Sequence, residues 1–301
     1  YNISAIDNSG NESAVTADVS NVPYIPSVAT EPSGSGTSGD PYQIATLNNL
    51  YWLSQNFGGY NEHYIQTADI DASSTAYWDA GAGFSPIVIG QSTGDGSYNG
   101  NGYTIDGLTI NRPAMDNVGL FGFAVNATIQ DLSVTNVDIT GNHSTYAGGG
   151  IYYDAGSYLT IDGGSIDNNS SDYLAGGLGL FDVGMNTNIS NASISGNTGE
   201  ISAISSNLSG SLNLENLVIQ NNNSTNGEPA VKHVSDIPGS ECILDRIVLT
   251  GNNTSALDVS LTEQSLLNIN HSTIADNNQD NSNDYDAIKY NAVDNLLIEN
   301  S

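Results

Sequence analysis

The residues of this chain best placed for chemistry recur at one position. An apolar residue followed by a polar one comes round through the second two-thirds of the sequence. The polar members read Asp106, Gln130, Asp162, Ser190, Glu215, Asp245, Asn270 and Glu299. If consecutive copies stack, Glu215 and Asp245 bring their carboxylates about 5 Å apart, which suits a retaining glycosidase pair or a shared cation. Asp162 and Glu215 are two copies apart, nearer the separation of an inverting pair. Arg246 and His271 occupy the neighbouring column, where they would serve a lyase as base or substrate clamp. The competing expectation for all of these residues is a solvated polar face alternating with an apolar interior. Only 4 Lys and Arg oppose 33 Asp and Glu, a net charge of −29. A uronate substrate would find little to neutralise it, so a neutral polysaccharide is the better match.

A second concentration of oxygen ligands is "DNNQDNSNDYDA", residues 276–287. Asp280, Ser282, Asp284 and Asp286 alternate like the first half of a calcium loop, which makes Ca2+ the candidate cofactor. The stretch lacks the glycine and the closing bidentate Glu of an EF-hand, and the alternative is a solvated insertion at a corner. Asp69, Asp71 and Asp79 are a weaker version of the same pattern. Tyr146, Tyr152, Tyr153, Tyr158 and Tyr173 cluster around glycine phrases, either to stack on sugar rings or to fill a wide interior. Fourteen Asn-x-Ser/Thr sequences, among them Asn142, Asn188, Asn207 and Asn270, read as turn chemistry ahead of the alternative, glycosylation. Cys242 has no disulfide partner and reads as a buried small side chain, and the four histidines lack metal-ligand spacing. The acidic excess repels nucleic acid, and no apolar run has the length of a membrane span.

Short apolar phrases must position these residues. Pairs spaced by five recur as Ile105/Ile110, Ile129/Val134, Ile161/Ile166, Ile189/Ile194, Leu214/Ile219, Leu244/Leu249 and Ile269/Ile274, with Ile298 opening an eighth. First members are 24, 32, 28, 25, 30, 25 and 29 residues apart. Most copies then turn on a dipeptide: Asn168-Asn169, Gly196-Asn197, Asn221-Asn222, Gly251-Asn252, Asp276-Asn277. Such a period means stacked coils, and short β-branched phrases bounded by Asn and Gly argue against helical repeats. Asn suits the corners because it tolerates the left-handed conformation and can bond to the same amide one coil away. The expected fold is all-β, a right-handed parallel β-helix. Seven intervals at about 4.8 Å give a segment on the order of 34 Å. The last copy is cut short, which reads as a rod continuing beyond the chain.

Four parts are expected along the chain. Residues 1–22 alternate as strand, turn and strand around "DNSGN", residues 23–41 are a Pro/Gly/Ser-rich linker, residues 42–104 hold a cap and the first coils, and residues 105–301 hold the remaining coils. Within the cap, "TLNNLYWLSQNF" (46–57) is the one expected helix, with Thr46 as its N-cap, closing the end of the stack. "YIQTADIDAS" beyond it reads as a strand.

"AIDNSGNESA" resembles the closing strands of a bacterial fibronectin type III module. "PYQIATLNNLYWLSQN", "YNGNGYTIDGLTINRP" and "VGLFG" resemble bacterial surface proteins with GLUG motifs. "AGGGIYY" and "AGGLGLF", followed by "IDNNSS" and "ISGNTG", are similar to repeats of polymorphic-outer-membrane-protein-like β-helix proteins. The resemblance spans roughly residues 41–280 and implies a β-helix that is secreted or attached to a bacterial cell surface. These families mix adhesins, stalks and carbohydrate-active enzymes. Two functions are therefore expected. One is a non-catalytic stalk or adhesin segment of a large extracellular protein, binding polysaccharide, cell-surface glycan or calcium and capable of self-association through coil ends. The other is a glycoside hydrolase or polysaccharide lyase using an outer face, with Glu215 and Asp245 as carboxylates and Arg246 or His271 assisting.

Overall fold

The computed structural model describes residues 28–56, 61–89, 96–115, 118–124, 128–145, 148–154, 158–182, 186–277, 288–291 and 295–299. Apolar phrases of the main repeat lie one above another in a single parallel sheet. Its strands run in order from Ile70–Asp71 through Thr104–Asp106, Leu132–Thr140, Tyr158–Asp167, Asn186–Ser195, Leu212–Glu215, Glu241–Asp245 and Leu266–Asn270 to Asn295–Glu299. A second parallel sheet stacks Ile151–Asp154, Leu178–Asp182, Ile204–Leu208, Val231–Val234, Leu257–Ser260 and Ile288–Asn291. A narrow third sheet stacks His143–Ser144, Ser170–Ser171, Thr198–Gly199 and Asn223–Ser224. Every strand pair between these coils is parallel and links successive coils, so the chain forms a parallel β-solenoid.

Register fixes what faces inward. Ile70, Ile105, Val134, Ile161, Ile189, Leu214, Leu244, Ile269 and Ile298 are successive neighbours in one column. From Ile105 to Ile269 these side chains are at most 4 % exposed, and burying each contributes about 2 kcal/mol. Ile110, Ile139 and Ile166, then Ile194, Ile219, Leu249 and Ile274, make the second column. One expected pair is corrected here: Ile129 lies in another sheet, beside Tyr98, and the true pair of that coil is Val134/Ile139. The outer column accordingly carries Thr135 where Gln130 was expected, because Gln130 pairs with Asn99.

The two turns flanking the second column use the left-handed backbone. After it come Gly141, Asn168, Gly196, Asn221, Gly251 and Asp276, all with φ between +52° and +67°. Glycine and a polar side chain alternate for a spatial reason. A Cβ on Gly196 would stand 2.5 Å from Asn168 Oδ1, and one on Gly251 would stand 2.7 Å from Asn221 Oδ1. Each amide therefore lies over the glycine of the next coil.

The N-terminal end is built differently. Tyr42–Ile44, His63–Gln66, Ser97–Asn99 and Thr128–Gln130 form their own parallel sheet, so the stretch read as one strand at 64–73 is two, divided by a corner. The helix runs Leu47–Gln55; the Thr46 hydroxyl accepts from Asn49 N at 3.2 Å, as its N-cap position requires. Leu50 and Leu53 are buried, Tyr51 meets Trp78 edge-on at 5.0 Å, and the helix packs on strand Ile87–Ile89. Residues 28–41, within the expected linker, fold back onto this cap: Asn49 Nδ2 donates to Thr30 O and Gln43 N to Ser33 O. The strands expected over 1–22 lie outside the described residues.

Candidate functional site

Between the two columns of the main sheet lies a second left-handed turn, facing solvent. Its residues are Gly107, Asn136, Gly163, Asn191, Asn216, Arg246 and His271, with φ between +46° and +81°. Each directly follows the outward polar residue of its coil, so the expected functional column and this turn are neighbours in every coil.

One rule governs Asp106, Asp162, Glu215 and Asp245 of that column: each is held by the coil that follows. Asp106 Oδ1 accepts from Thr135 Oγ1 and Asn136 Nδ2, both at 2.6 Å. Asp162 Oδ1 accepts from Asn191 Nδ2 at 2.5 Å and Ser190 Oγ at 2.8 Å, and these bonds hold its carboxyl below the usual carboxylate range. Glu215 is paired by the Arg246 guanidinium, whose Nη1 also meets Asp245 Oδ2 at 2.6 Å. Asp245 Oδ1 in turn meets His271 Nδ1 at 3.2 Å.

Register does place Glu215 beside Asp245, and all four candidate residues, Glu215, Asp245, Arg246 and His271, form one cluster. Arg246 and His271 fill turn positions that earlier coils give to Gly or Asn, and they repeat what Asn136 and Asn191 do. The cluster is open to water: Arg246 is 50 %, Glu215 46 % and His271 58 % exposed. In that setting each ion pair is worth about 0–1 kcal/mol. The guanidinium engages one oxygen of each carboxylate. The geometry suits locking of adjacent turns.

Three of the four histidines make the same cross-coil contact with a serine. His63 Nδ1 lies 2.8 Å from Ser97 Oγ, His143 Nδ1 2.9 Å from Ser170 Oγ, and His233 Nδ1 2.7 Å from Ser206 Oγ. Each of those serines is the residue in register one coil away. His233 is wholly buried, and burial lowers its pKa to about 4, so it is neutral in the fold. Cys242 is buried as expected, and burial pushes its thiol up to about 12, which leaves it unreactive.

The remaining candidates separate. Asp69 accepts from Thr104 N, Asp71 from Ser73 N, and Asp79 pairs with Arg112 at 2.5 Å, so these three acids hold different partners. Asp280, Ser282, Asp284 and Asp286 lie outside the described residues. Among the described residues no group of three His, Cys, Asp or Glu could hold a metal ion. Tyr152 is half-buried with its ring 5.9 Å from Phe181, and Tyr173 is exposed. Tyr146 and the side chains of Tyr153 and Tyr158 lie outside the description.

The most ordered polar feature is inside. Asn142, Asn169, Asn197, Asn222 and Asn252 are 0–1 % exposed and stack at the corner after the second column. Each Nδ2 donates to Oδ1 of the next, ending at Asn277, at 2.8–3.2 Å. Each Nδ2 also donates to a carbonyl of the preceding coil, from Ile110 to Ile219, at 2.9–3.3 Å. Each backbone N–H bonds the next Oδ1 as well. The sequence showed this corner from Asn168 onward. Gly141-Asn142 was missed because its coil was phased on Ile129.

Arg112 was missed too. It takes the corner place one coil before Asn142, donating its backbone N–H to Asn142 Oδ1 at 2.6 Å. Its side chain donates Nε to Phe84 O at 2.8 Å and Nη2 to Gly83 O and Asp79. Arg112 thus ties the cap to the ladder. Other coils run as Ile139-Thr140-Gly141-Asn142 or Ile166-Asp167-Asn168-Asn169, whereas Ile110-Asn111-Arg112 reaches the corner one residue sooner, which hid it from the spacing.

Comparison with known proteins adds two relatives. The chain is 33 % identical over 157 residues, 48 % of its length, to Halomucin of Haloquadratum walsbyi. It is 39 % identical over 109 residues, 36 % of its length, to a putative Gly-rich membrane protein of Evansella cellulosilytica. The matches span 2 % and 12 % of those two proteins. No protein family and no solved structure matches the chain. No helix among the described residues is long and apolar enough to cross a membrane.

Proposed function

We propose that this chain is a non-catalytic segment of a large extracellular surface protein, acting there as a rigid stalk or adhesive rod. The observation that carries the reading is the continuous buried ladder. From Asn142 to Asn277 every coil is joined to the next by backbone strands and by a sealed side-chain amide, so bending the rod means breaking buried hydrogen bonds. The outer acids fit the same reading, because each is engaged in holding its neighbour. A net charge of −29 keeps such rods apart and soluble. The names of both relatives, a halomucin and a putative membrane protein, point to the cell surface. Each relative is also far longer than the region matched. Calcium at Asp280, Ser282, Asp284 and Asp286, and a glycan or polysaccharide as the bound partner, belong to this proposal.

Depolymerisation is the direct test. The purified chain is incubated with neutral and acidic polysaccharides, with calcium and with chelator, and product chain length is measured. We expect no shortening in any arm. Shortening of one polymer, abolished by Glu215→Gln or Asp245→Asn, would replace this reading with a carbohydrate-active enzyme on the outer face.

A further inference from the structure

The register sets two physical classes apart among the Asn-x-Ser/Thr sequences. Asn142, Asn169, Asn222 and Asn252 belong to the sealed corner, where both Nδ2 hydrogens are engaged, one to a carbonyl and one to the next amide. A group attached to any of these nitrogens would break the ladder and enter a packed interior. Asn188, Asn207 and Asn223 are the opposite case. All three are exposed, and their Nδ2 atoms donate no hydrogen bond among the described residues. Asn223 accepts from Asn253 Nδ2 through its oxygen at 2.6 Å, which leaves its nitrogen open. Ser190, Ser209 and Thr225 supply the hydroxyl two residues on.

We propose that Asn188, Asn207 and Asn223 are acceptor sites for N-linked glycans. They stand on the main, second and third sheets respectively, so sugars would project from three faces of the rod. Asn207 is in register with Phe181, a half-buried ring beside the first sugar. The donor is an oligosaccharide carried on a lipid phosphate. The Nδ2–C1 bond forms, the C1–O bond to the lipid phosphate breaks, the lipid phosphate leaves with the electron pair, and the transferase takes the amide proton. The inference rests on export of the chain, as the surface reading does.

The test supplies that export. The full chain is secreted through a cell carrying an asparagine-directed oligosaccharyltransferase, and the folded product is mapped by peptide mass spectrometry. Expected are glycans at Asn188, Asn207 and Asn223 and none at Asn142, Asn169, Asn222 or Asn252. The Asn188→Gln, Asn207→Gln, Asn223→Gln variant should lose three glycan masses and still be secreted. Unmodified Asn188, Asn207 and Asn223, or a glycan on any corner asparagine of the folded product, overturns the proposal. Either failure leaves the surface reading untouched, because here the host provides the secretion.

Discussion

Two turns of the same left-handed backbone flank the second apolar column, and they live in different solvents. The buried corner is occupied by Asn at every described step from Asn142 to Asn277, with Gly and a polar residue alternating just before it. The outer turn accepts Gly, Asn, Arg and His in equivalent places. Both turns carry side-chain bonds from coil to coil. In the corner a lost bond leaves a donor or acceptor that water cannot reach, which costs about 1–3 kcal/mol per group. At the outer turn water replaces what is lost. Variety at the outer turn thus reflects permissive surroundings, and the concentration of charge at Arg246 and His271 needs no catalytic explanation.

The largest expected effect comes from breaking the inner row. Asn222→Leu orphans the Asn197 N–H and the Ile194 carbonyl, and should lower unfolding stability by about 3 kcal/mol in a urea titration. A loss below 1 kcal/mol would mean that the ladder is ornamental. Burial also makes His233, on the second sheet, respond to acid. His233 ordinarily titrates near 6.5 and in the fold near 4, so the unfolded chain takes up a proton that the folded chain refuses between those values. Stability should fall as pH drops from about 6.5 to 4, by as much as about 3 kcal/mol from this group. The Ser206→Ala, His233→Leu pair should flatten that part of the curve relative to the parent protein. An unchanged slope would place the sensitivity elsewhere. The smallest effect belongs to the outer turn. Arg246→Gly relieves about 1 kcal/mol of left-handed strain and forfeits exposed ion pairs of similar worth, so the urea midpoint should barely move. A loss beyond 2 kcal/mol would show that the two turns are not so different.

The fold was legible wherever apolar spacing and the corner dipeptide agreed, as at Ile161/Ile166 with Asn168-Asn169. It was misread where only spacing was used. Ile129 lies five residues before Val134, as a first member should, but no Asn corner follows Val134; Val134/Ile139, followed by Gly141-Asn142, satisfies both signals. With Val134 in place, the uneven intervals of 24 and 32 become 29 and 27. The candidate site was legible as an address but not as a role. Stacking of Glu215 on Asp245 followed from the repeat. That Arg246 and His271 continue the series Gly107, Asn136, Gly163, Asn191, Asn216 required comparing coils at the position after the outer acid. Arg112 was hidden because its task depends on Phe84 and Gly83, carbonyls of a cap that does not repeat.

The alternation at the sealed corner bears on how the length of such a rod can change. Gly141, Asn168, Gly196, Asn221, Gly251 and Asp276 take turns, small then large, because each amide lies over the glycine beyond it. Removing a single coil would set two polar side chains, or two glycines, in consecutive turns and break the alternation. Removing two successive coils restores both the alternation and the chain of Asn amides. The unit by which this protein can be shortened or lengthened without repair is therefore a pair of coils, and rods built on this plan should differ in length by even steps.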